Sequence, residues 1–373
     1  PREDVMTTDL TRRRVLVGAT VSAGAAAATI AAPSTASAAA TQWSWASPFD
    51  RSRDAIRLPV DTMLKNLAAL TDGAFKLGDP DQSTPDPSAL FQSVASGKHD
   101  AAHMATDTLL EASPVFALAA GTPFGLNARM HTAWLQDARG LQLINTALAA
   151  KGVVLIPAGQ TGASMGGWFR RDLTDVAQLK DLKIAIGGLG ARVFEALGAK
   201  PQSVGRDDLG RALRNGDLDG AIYGLPYDDE NLRLYQSAQA LHYPGWWNGA
   251  GQLFLVVNKA KYDALSPEHR TALNSAAAIA DRDILARYDA QNPTALKRAV
   301  ASGARLQPLT EAFLDACFKA SSEMLTAIAI EDAAFKEIHD SLIRFRRDAY
   351  LWSQLSENTF DTYMMIQQRK QAL

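Results

Sequence analysis

Apolar and polar positions along the chain fall into a rhythm of short strands and amphipathic helices. Trp43-Ser44-Trp45-Ala46 alternates with period two, as a first strand does. Met63, Leu64, Leu67 and Leu70 then share one helical face, which Asp72-Gly73 stops. A loop rich in Pro, Asp and Ser over 78–88 leads to a short helix from Ala89, closed by Gly97, and to a strand at 101–104. That is the βαβ alternation of an α/β domain. It resumes after 123–127, with a helix over 134–148 and strands at 153–156 and 183–186. A glycine turn then feeds a helix at 192–197, stopped by Gly198. A further helix at 208–214 is stopped by Gly216 and gives way to a strand at 219–223.

Two later segments carry information of their own. The run 253–257 (Leu-Phe-Leu-Val-Val) is apolar at every position, which predicts a strand interior to a sheet. Ser266-Pro267-Glu268 has the cap-then-proline form of a helix start and opens a long alanine-rich helix. From about Asp315 the pattern is helical almost to the end, with Leu342, Phe345, Ala349 and Trp352 forming one seam. Phe360, Tyr363, Met364 and Met365 extend the apolar character past Leu355. Such a segment needs cover, either from the chain's own lobes or from a second subunit.

Composition narrows the class. The 373 residues suffice for two lobes with separate cores, and 47% hydrophobic with 21% charged residues is a globular balance. The net charge of −2 supplies no basic field for nucleic acid or an anionic membrane. One cysteine, Cys317, excludes an internal disulfide and a cysteine zinc cluster; its helical spacing from Phe313 and Leu314 predicts a packed core thiol.

The N-terminal stretch is expected to be a targeting signal. Met6 is the expected start, with residues 1–5 upstream. The run 11–16 (Thr-Arg-Arg-Arg-Val-Leu) has twin-arginine form, and a weakly apolar alanine-rich run follows over 15–32. Pro33 and Ala36-Ser37-Ala38 then form a small-residue cleavage pattern, placing the cut near Ala38 or Ala40. The run is too rich in Ala, Gly, Ser and Thr for a good membrane anchor, and no cysteine stands there for acylation.

Motifs for catalysis are weak. Gly188-Leu189-Gly190 follows a strand and precedes a helix, but Val193 stands where a dinucleotide fingerprint needs its third glycine. Those glycines equally suit a turn that brings helix N-terminal amides to a small ligand. Six scattered histidines form no metal pair, and no Gly-x-Ser-x-Gly elbow exists. His103 and His131 lie in apolar segments, as structural histidines do. The acidic knot Tyr227-Asp228-Asp229-Glu230 is read as a helix start favoured by the dipole rather than a cation site. The Trp246-Trp247-Asn248 loop is costly to expose, so it lines a cleft or an interface between lobes.

From about Trp43 to the C-terminus the sequence resembles the solute receptors of tripartite ATP-independent periplasmic (TRAP) transporters, in the branch for small 2-oxo and hydroxy acids. The resemblance rests on the segments 122–129 (Thr-Pro-Phe-Gly-Leu-Asn-Ala-Arg), 165–170 (Met-Gly-Gly-Trp-Phe-Arg), 225–229 (Leu-Pro-Tyr-Asp-Asp) and 243–246 (Tyr-Pro-Gly-Trp). It implies an α/β, two-lobed fold with long connecting and C-terminal helices. The expected partition is signal 1–40, lobe I 41–161 plus 252–292, lobe II 162–251 plus 293–330, and a C-terminal helical segment 331–373 exchanged in a homodimer. It further implies a periplasmic receptor that hands its solute to a TRAP-type membrane permease, with no catalysis.

The ligand positions depart from that branch's pattern. The branch has glutamine where Ser164 stands, a carboxylate-holding arginine at Ala185, and glutamate and tryptophan at Ile222 and Tyr223; its glutamine and glutamate help hold a cation that bridges to the acid. Without those side chains a bridging cation loses its expected ligands, and the cofactor stays unknown. A charge-assisted bond is worth roughly 1.5–3 kcal/mol, so loss of the arginine alone weakens a carboxylate about 10- to 100-fold or more. The candidate ligand-binding set is Asp107, Ser164, Met165, Arg170, Ala185, Tyr223, Trp247 and Asn248. Either the site is rebuilt around Asp107, Tyr223, Trp247 and Asn248 for a cationic or neutral solute, or Arg170 or Arg192 swings in and an acid is retained. A dimeric interaction or sensory module and a twin-arginine-exported cofactor enzyme are the readings from other classes.

Overall fold

In the computed structural model, which describes residues 40–84 and 86–370, the chain builds two mixed sheets, each sandwiched between helices. The expected export signal and its cleavage sequence up to Ala38 lie outside the described residues. Among the described residues, no helix is long and apolar enough to cross a membrane.

The first lobe holds a four-stranded sheet, ordered Trp45–Ala46, Ala101–Ala105, Gln252–Asn258, Val153–Gln160. The strand Gln252–Asn258 is interior and antiparallel to both neighbours. Its alternate residues enter different cores, Phe254 and Val256 on one face, Leu253, Leu255 and Val257 on the other. Burial on both faces is why its sequence shows no polar alternation. The expected first strand splits: Thr41–Trp43 pairs with Phe75–Leu77 in a side ribbon, and only Trp45–Ala46 joins the main sheet.

The second lobe holds a six-stranded sheet, ordered Arg305–Pro308, Ala240–Tyr243, Gly167–Phe169, Gly220–Ala221, Lys183–Ala185, Lys200–Gln202. Its strands are short, and the expected strand at 219–223 shrinks to Gly220–Ala221, which frees Ile222 and Tyr223 to face the space between the lobes. The helix after the glycine turn begins earlier than its apolar pattern suggests, at Gly188, because glycines there present backbone rather than side chains.

The lobes are joined where Val153–Gln160 runs on toward Gly167–Phe169 and where the chain returns into Gln252–Asn258. Thr161 N–H donates to Gly251 O (3.0 Å) and Gly162 N–H to Ala250 O (3.0 Å), extending the strand pair into the crossing. Gly251 sits at φ +59°, and a Cβ there would lie 1.9 Å from Thr161 Oγ1, so the crossing requires glycine on both counts. The helix Pro267–Ala301 starts as the sequence predicts, with Ser266 Oγ accepting from His269 N–H. It packs on the helix Asp54–Leu70, on the strand Val153–Gln160 and on the short helix Pro226–Asn231.

The C-terminal helical run is broken into Glu311–Glu331, Ala333–Leu355 and Glu357–Arg369. Asp332 makes the first break by leaving helical geometry and capping the next helix through Phe335 N–H. Leu342 is buried in the first lobe's core and Phe345 and Ala349 pack against it, while Arg346 Nη1 and Tyr350 OH donate to the Phe124 and Gly125 carbonyls (both 3.0 Å). Beyond that point cover stops: Trp352 is 64% exposed, and Leu351, Leu355, Phe360 and Tyr363 are exposed with it. The seam therefore folds back only as far as Tyr350. Cys317 is fully buried, and burial pushes its thiol up to about 12, as a core thiol.

Candidate functional site

Between the two sheets lies a cavity of about 270 Å3, walled by both lobes and by the crossing strands. Phe49, Arg53, Asp107 and Thr108 come from the first lobe. Ile186, Gly187, Ile222 and Tyr223 come from the edge of the second lobe's sheet. Trp247, Asn248 and Gln252 close it on the crossing side.

The chemistry centres on Arg53, at the N-terminal boundary of the helix Asp54–Leu70. A cation at this end opposes the helix dipole, so its placement has to be balanced elsewhere. Nη2 of Arg53 donates to Asp228 Oδ2 (3.2 Å) and Nη1 to Tyr223 OH (3.1 Å), while Nε is buried without a partner. The guanidinium lies over the rings of Phe49 (5.0 Å) and Tyr223 (5.6 Å). Burial works against the cation, but the Asp228 carboxylate and the Tyr223 and Tyr288 phenols more than offset it, and the net shift of its pKa is upward.

Asp228 and Asp229 do open a helix, Pro226–Asn231, as the acidic knot predicts, but their carboxylates turn inward. Asp228 Oδ2 also accepts from Tyr288 OH (2.9 Å), on the long connecting helix. Asp229 Oδ2 accepts from Trp168 Nε1 (2.8 Å), while its Oδ1 is buried and unpartnered. Burial, opposed by the Trp168 hydrogen bond and reinforced by the Asp228 charge, lifts Asp229 to about 7. Asp107 has no side-chain partner, and burial raises its pKa too.

Of the sequence candidates, Asp107, Ser164, Tyr223, Trp247 and Asn248 line this cavity. All but Asp107 have polar atoms already engaged, Tyr223 OH with Arg53 (3.1 Å) and Ser164 Oγ with Asn248 O (3.5 Å). Asn248 Oδ1 accepts from Ala250 and Gly251 N–H (3.0 and 2.9 Å), and Trp247 Nε1 donates to Met165 O (3.1 Å). Trp246, by contrast, is buried against Phe124 and Phe194, so the paired tryptophans divide between cleft and packing.

Three candidates do not line it. Met165 contributes only its carbonyl to Trp247. Arg170 follows the strand Gly167–Phe169 and lies outside the cavity, its half-exposed guanidinium 4.0 Å from Asp219. Ala185 lies just beyond, in an adjoining cavity. Arg192, the other cation considered, pairs with Glu111 at 2.7 Å on the exposed rim. Sequence reasoning missed Arg53; the usable signal was a basic residue at the wrong end of a predicted helix. His103 and His131 are structural: both are buried, both are pushed down to about 4 by burial, and His103 Nε2 bonds Ala158 O (2.9 Å).

The positions at which the resemblance implies cation ligands, 164 and 222, offer little to a bridging cation. A hard cation takes six or more oxygens. Here Ile222 offers none, Asn248 Oδ1 is spent on backbone amides, and Ser164 Oγ lies 3.5 Å from Asn248 O. Among the described residues no cluster of three or more His, Cys, Asp or Glu could hold a metal.

The family model for bacterial extracellular solute-binding protein, family 7, matches residues 52–332. The monocarboxylate 2-oxoacid-binding periplasmic protein of a Nostoc species is 34% identical over 304 residues, covering 81% of this chain and 84% of its own. A TRAP transporter solute-binding protein from Bordetella bronchiseptica superposes with a TM-score of 0.85 at 30% identity, over 88% of this chain and 98% of that one. It was crystallised as a mixed-occupancy dimer with copurified calcium and picolinate in one site. A TRAP periplasmic solute-binding protein from Colwellia psychrerythraea, with bound calcium and pyruvate, superposes at 0.83 with 23% identity, over 87% and 99% of the two chains, and speaks to the fold alone.

Proposed function

The chain belongs to the bacterial extracellular solute-binding proteins of family 7, and from that premise we propose that its cleft closes on a small organic acid whose carboxylate is held by Arg53. It is an extracytoplasmic solute receptor of the TRAP type, with the two-lobed architecture of that class. The observation that carries the ligand reading is the buried guanidinium in the interlobe cavity, with Nε unpartnered and aromatic rings on either side. It supplies the positive charge that Ala185 lacks, from the opposite lobe. Relatives that bind picolinate and 2-oxo acids by name support the solute class.

The site binds and releases; no bond is made or broken. Asp228 keeps Arg53 from being an isolated buried cation in the empty cleft, and a carboxylate arriving on the free donors adds an anion to a balanced pair. Asp107 tunes this: ionised it repels an acid, and protonated it donates to one. Delivery is to a TRAP-type membrane permease after export through the twin-arginine route to the periplasm. The exposed strip from Leu351 to Ile366 fits exchange with a second copy in a homodimer. The test is calorimetric titration of the purified protein with pyruvate-sized 2-oxo and hydroxy acids, alongside amines, amino acids and polyols. Saturable binding of acids without added cation supports the reading. Binding confined to amines or polyols refutes it, and turnover of any solute refutes the receptor role.

A further inference from the structure

Tyr223 does not mark the end of the site. A second cavity of about 340 Å3 adjoins the first and shares Thr108, Ile186, Gly187, Ile222 and Tyr223 with it. Ala185 stands on one side of this chamber, and Pro201, Val204 and Leu209 form the wall, with Gln202 and Ser203 exposed at the rim. None of its lining residues is charged, whereas the first cavity holds Arg53, Asp107 and Asp228. Gly187 and Thr108 stand together where the two cavities meet, and a Cβ at residue 187 would lie 3.0 Å from Thr108 Cγ2, so a side chain there would crowd this junction.

This division is what an amphipathic solute requires. An ionised head gains from charge-assisted bonds and loses in an uncharged pocket, while methylene groups gain by leaving water for apolar walls. Tyr223 ties the two regions together, since its hydroxyl accepts from Arg53 on one side while the residue lines the chamber beside Ala185 on the other. A carboxylate seated on Arg53 therefore has its substituent directed past Tyr223 and Ile222 into the second chamber. A long side chain at 185 would occupy that space; alanine leaves it open.

We infer that this receptor takes a chain-bearing organic acid, with its carboxylate on Arg53 and several carbons of its chain in the chamber walled by Ala185, Val204 and Leu209. The inference rests on the assignment of Arg53 as the carboxylate anchor, and it makes Ala185 a determinant of ligand length.

The experiment is a calorimetric series of straight-chain 2-oxo acids, from pyruvate up to about eight carbons, on the wild-type protein and on Val204→Trp and Ser203→Trp. Ser203 is exposed, so at least that variant leaves the core untouched, and thermal melts check both folds. The wild type is expected to bind each longer acid about fourfold more tightly per added methylene until the chamber is full. The tryptophan variants are expected to flatten the series while leaving the pyruvate affinity unchanged. A wild-type series that is flat or falls with length, with pyruvate bound, overturns the second chamber as a subsite. Failure of every acid, pyruvate included, overturns instead the carboxylate reading on which it stands.

Discussion

Replacing Arg53 tests the site most directly, provided the stability cost is separated from the binding cost. Arg53→Gln leaves the Asp228 carboxylate, 3% exposed, with only Tyr288 OH at 2.9 Å as partner. Orphaning one member of a buried ion pair costs about 3–5 kcal/mol of stability, enough to threaten the fold and to confuse any binding measurement. Asp228→Asn in the same chain removes the orphan charge, so Arg53→Gln/Asp228→Asn is expected to melt closer to wild type than Arg53→Gln alone. Binding behaves differently. If Arg53 holds the ligand carboxylate, the double variant still lacks the anchor, and the loss of a charge-assisted bond at roughly 1.5–3 kcal/mol weakens the acid about 10- to 150-fold.

The assay is calorimetry with a 2-oxo acid on wild type, both single variants and the double, beside thermal melts of each. Asp228→Asn alone leaves the Arg53 cation uncompensated and is expected to bind the acid more tightly than wild type. The reasoning is refuted if the double variant binds the acid as wild type does, because no charged anchor would then have been removed. It is equally refuted if Asp228→Asn weakens acids, since that would make the carboxylate, not the guanidinium, the ligand's partner.

Further expectations concern the other titrating groups and the uncovered helix. Burial raises Asp107, and its ionised form repels an acid ligand, so acid affinity should rise as pH is lowered through its raised pKa; Asp107→Asn should lose this dependence, and an unchanged profile in calorimetry counts against the placement. Asp229 rises from 3.8 to about 7 on folding, so the stability it contributes is full below about pH 4 and is lost as pH rises through 7. Asp229→Asn should therefore exceed wild type in stability above pH 7, by at most about 4 kcal/mol at 1.4 kcal/mol per pH unit, with the gap closing toward pH 4; superimposable urea curves at both pH values would sink the claim. Trp352→Glu with Phe360→Glu should convert a dimer to a monomer in light scattering with little change in binding, and a wild-type monomer would dispose of the exchange reading.

Much of the fold could be read from the sequence because its signals were local and redundant. Ser266 and Pro267 specify a helix start whatever surrounds them, and an unbroken apolar strand at 253–257 requires cover on both faces. The site was half legible for the opposite reason. Asp107, Tyr223 and Trp247 could be placed from neighbouring motifs, but Arg53 meets Asp228 across 175 positions of chain, and no periodicity announces such a pair. Arg170 could be named from its motif but not placed, because where its strand ends, and so which way its side chain turns, is not carried by the motif. Strand length mattered as well: whether Ile222 pairs in the sheet or faces the cleft depends on where the ladder to Phe169 and Ala185 stops, which pairing partners decide.

The geometry also accounts for how such a receptor can exchange its ligand grip without losing its fold. Ala185 and Ile222 are buried carbon, 6% and 8% exposed, and they pack on opposite faces of the second sheet with Trp168 and with Phe169. Apolar residues at these positions add to the cores and strand no charge, whereas an ionic side chain there would have to be paired or lose solvation. The charge has then to come from a place whose balance does not depend on the ligand. Arg53 meets that condition, because Asp228 neutralises it, Tyr223 and Phe49 flank it, and Tyr288 fixes Asp228 from the long helix that both lobes share. An anchor neutralised in the empty state binds an acid less strongly than a bare cation would, and the apolar chamber beside Ala185 is where the lost affinity can be recovered. On the proposed assignment of Arg53, the charge that the resemblance leads one to expect at Ala185 and the apolar chamber beside that residue belong to one account of what the cleft holds.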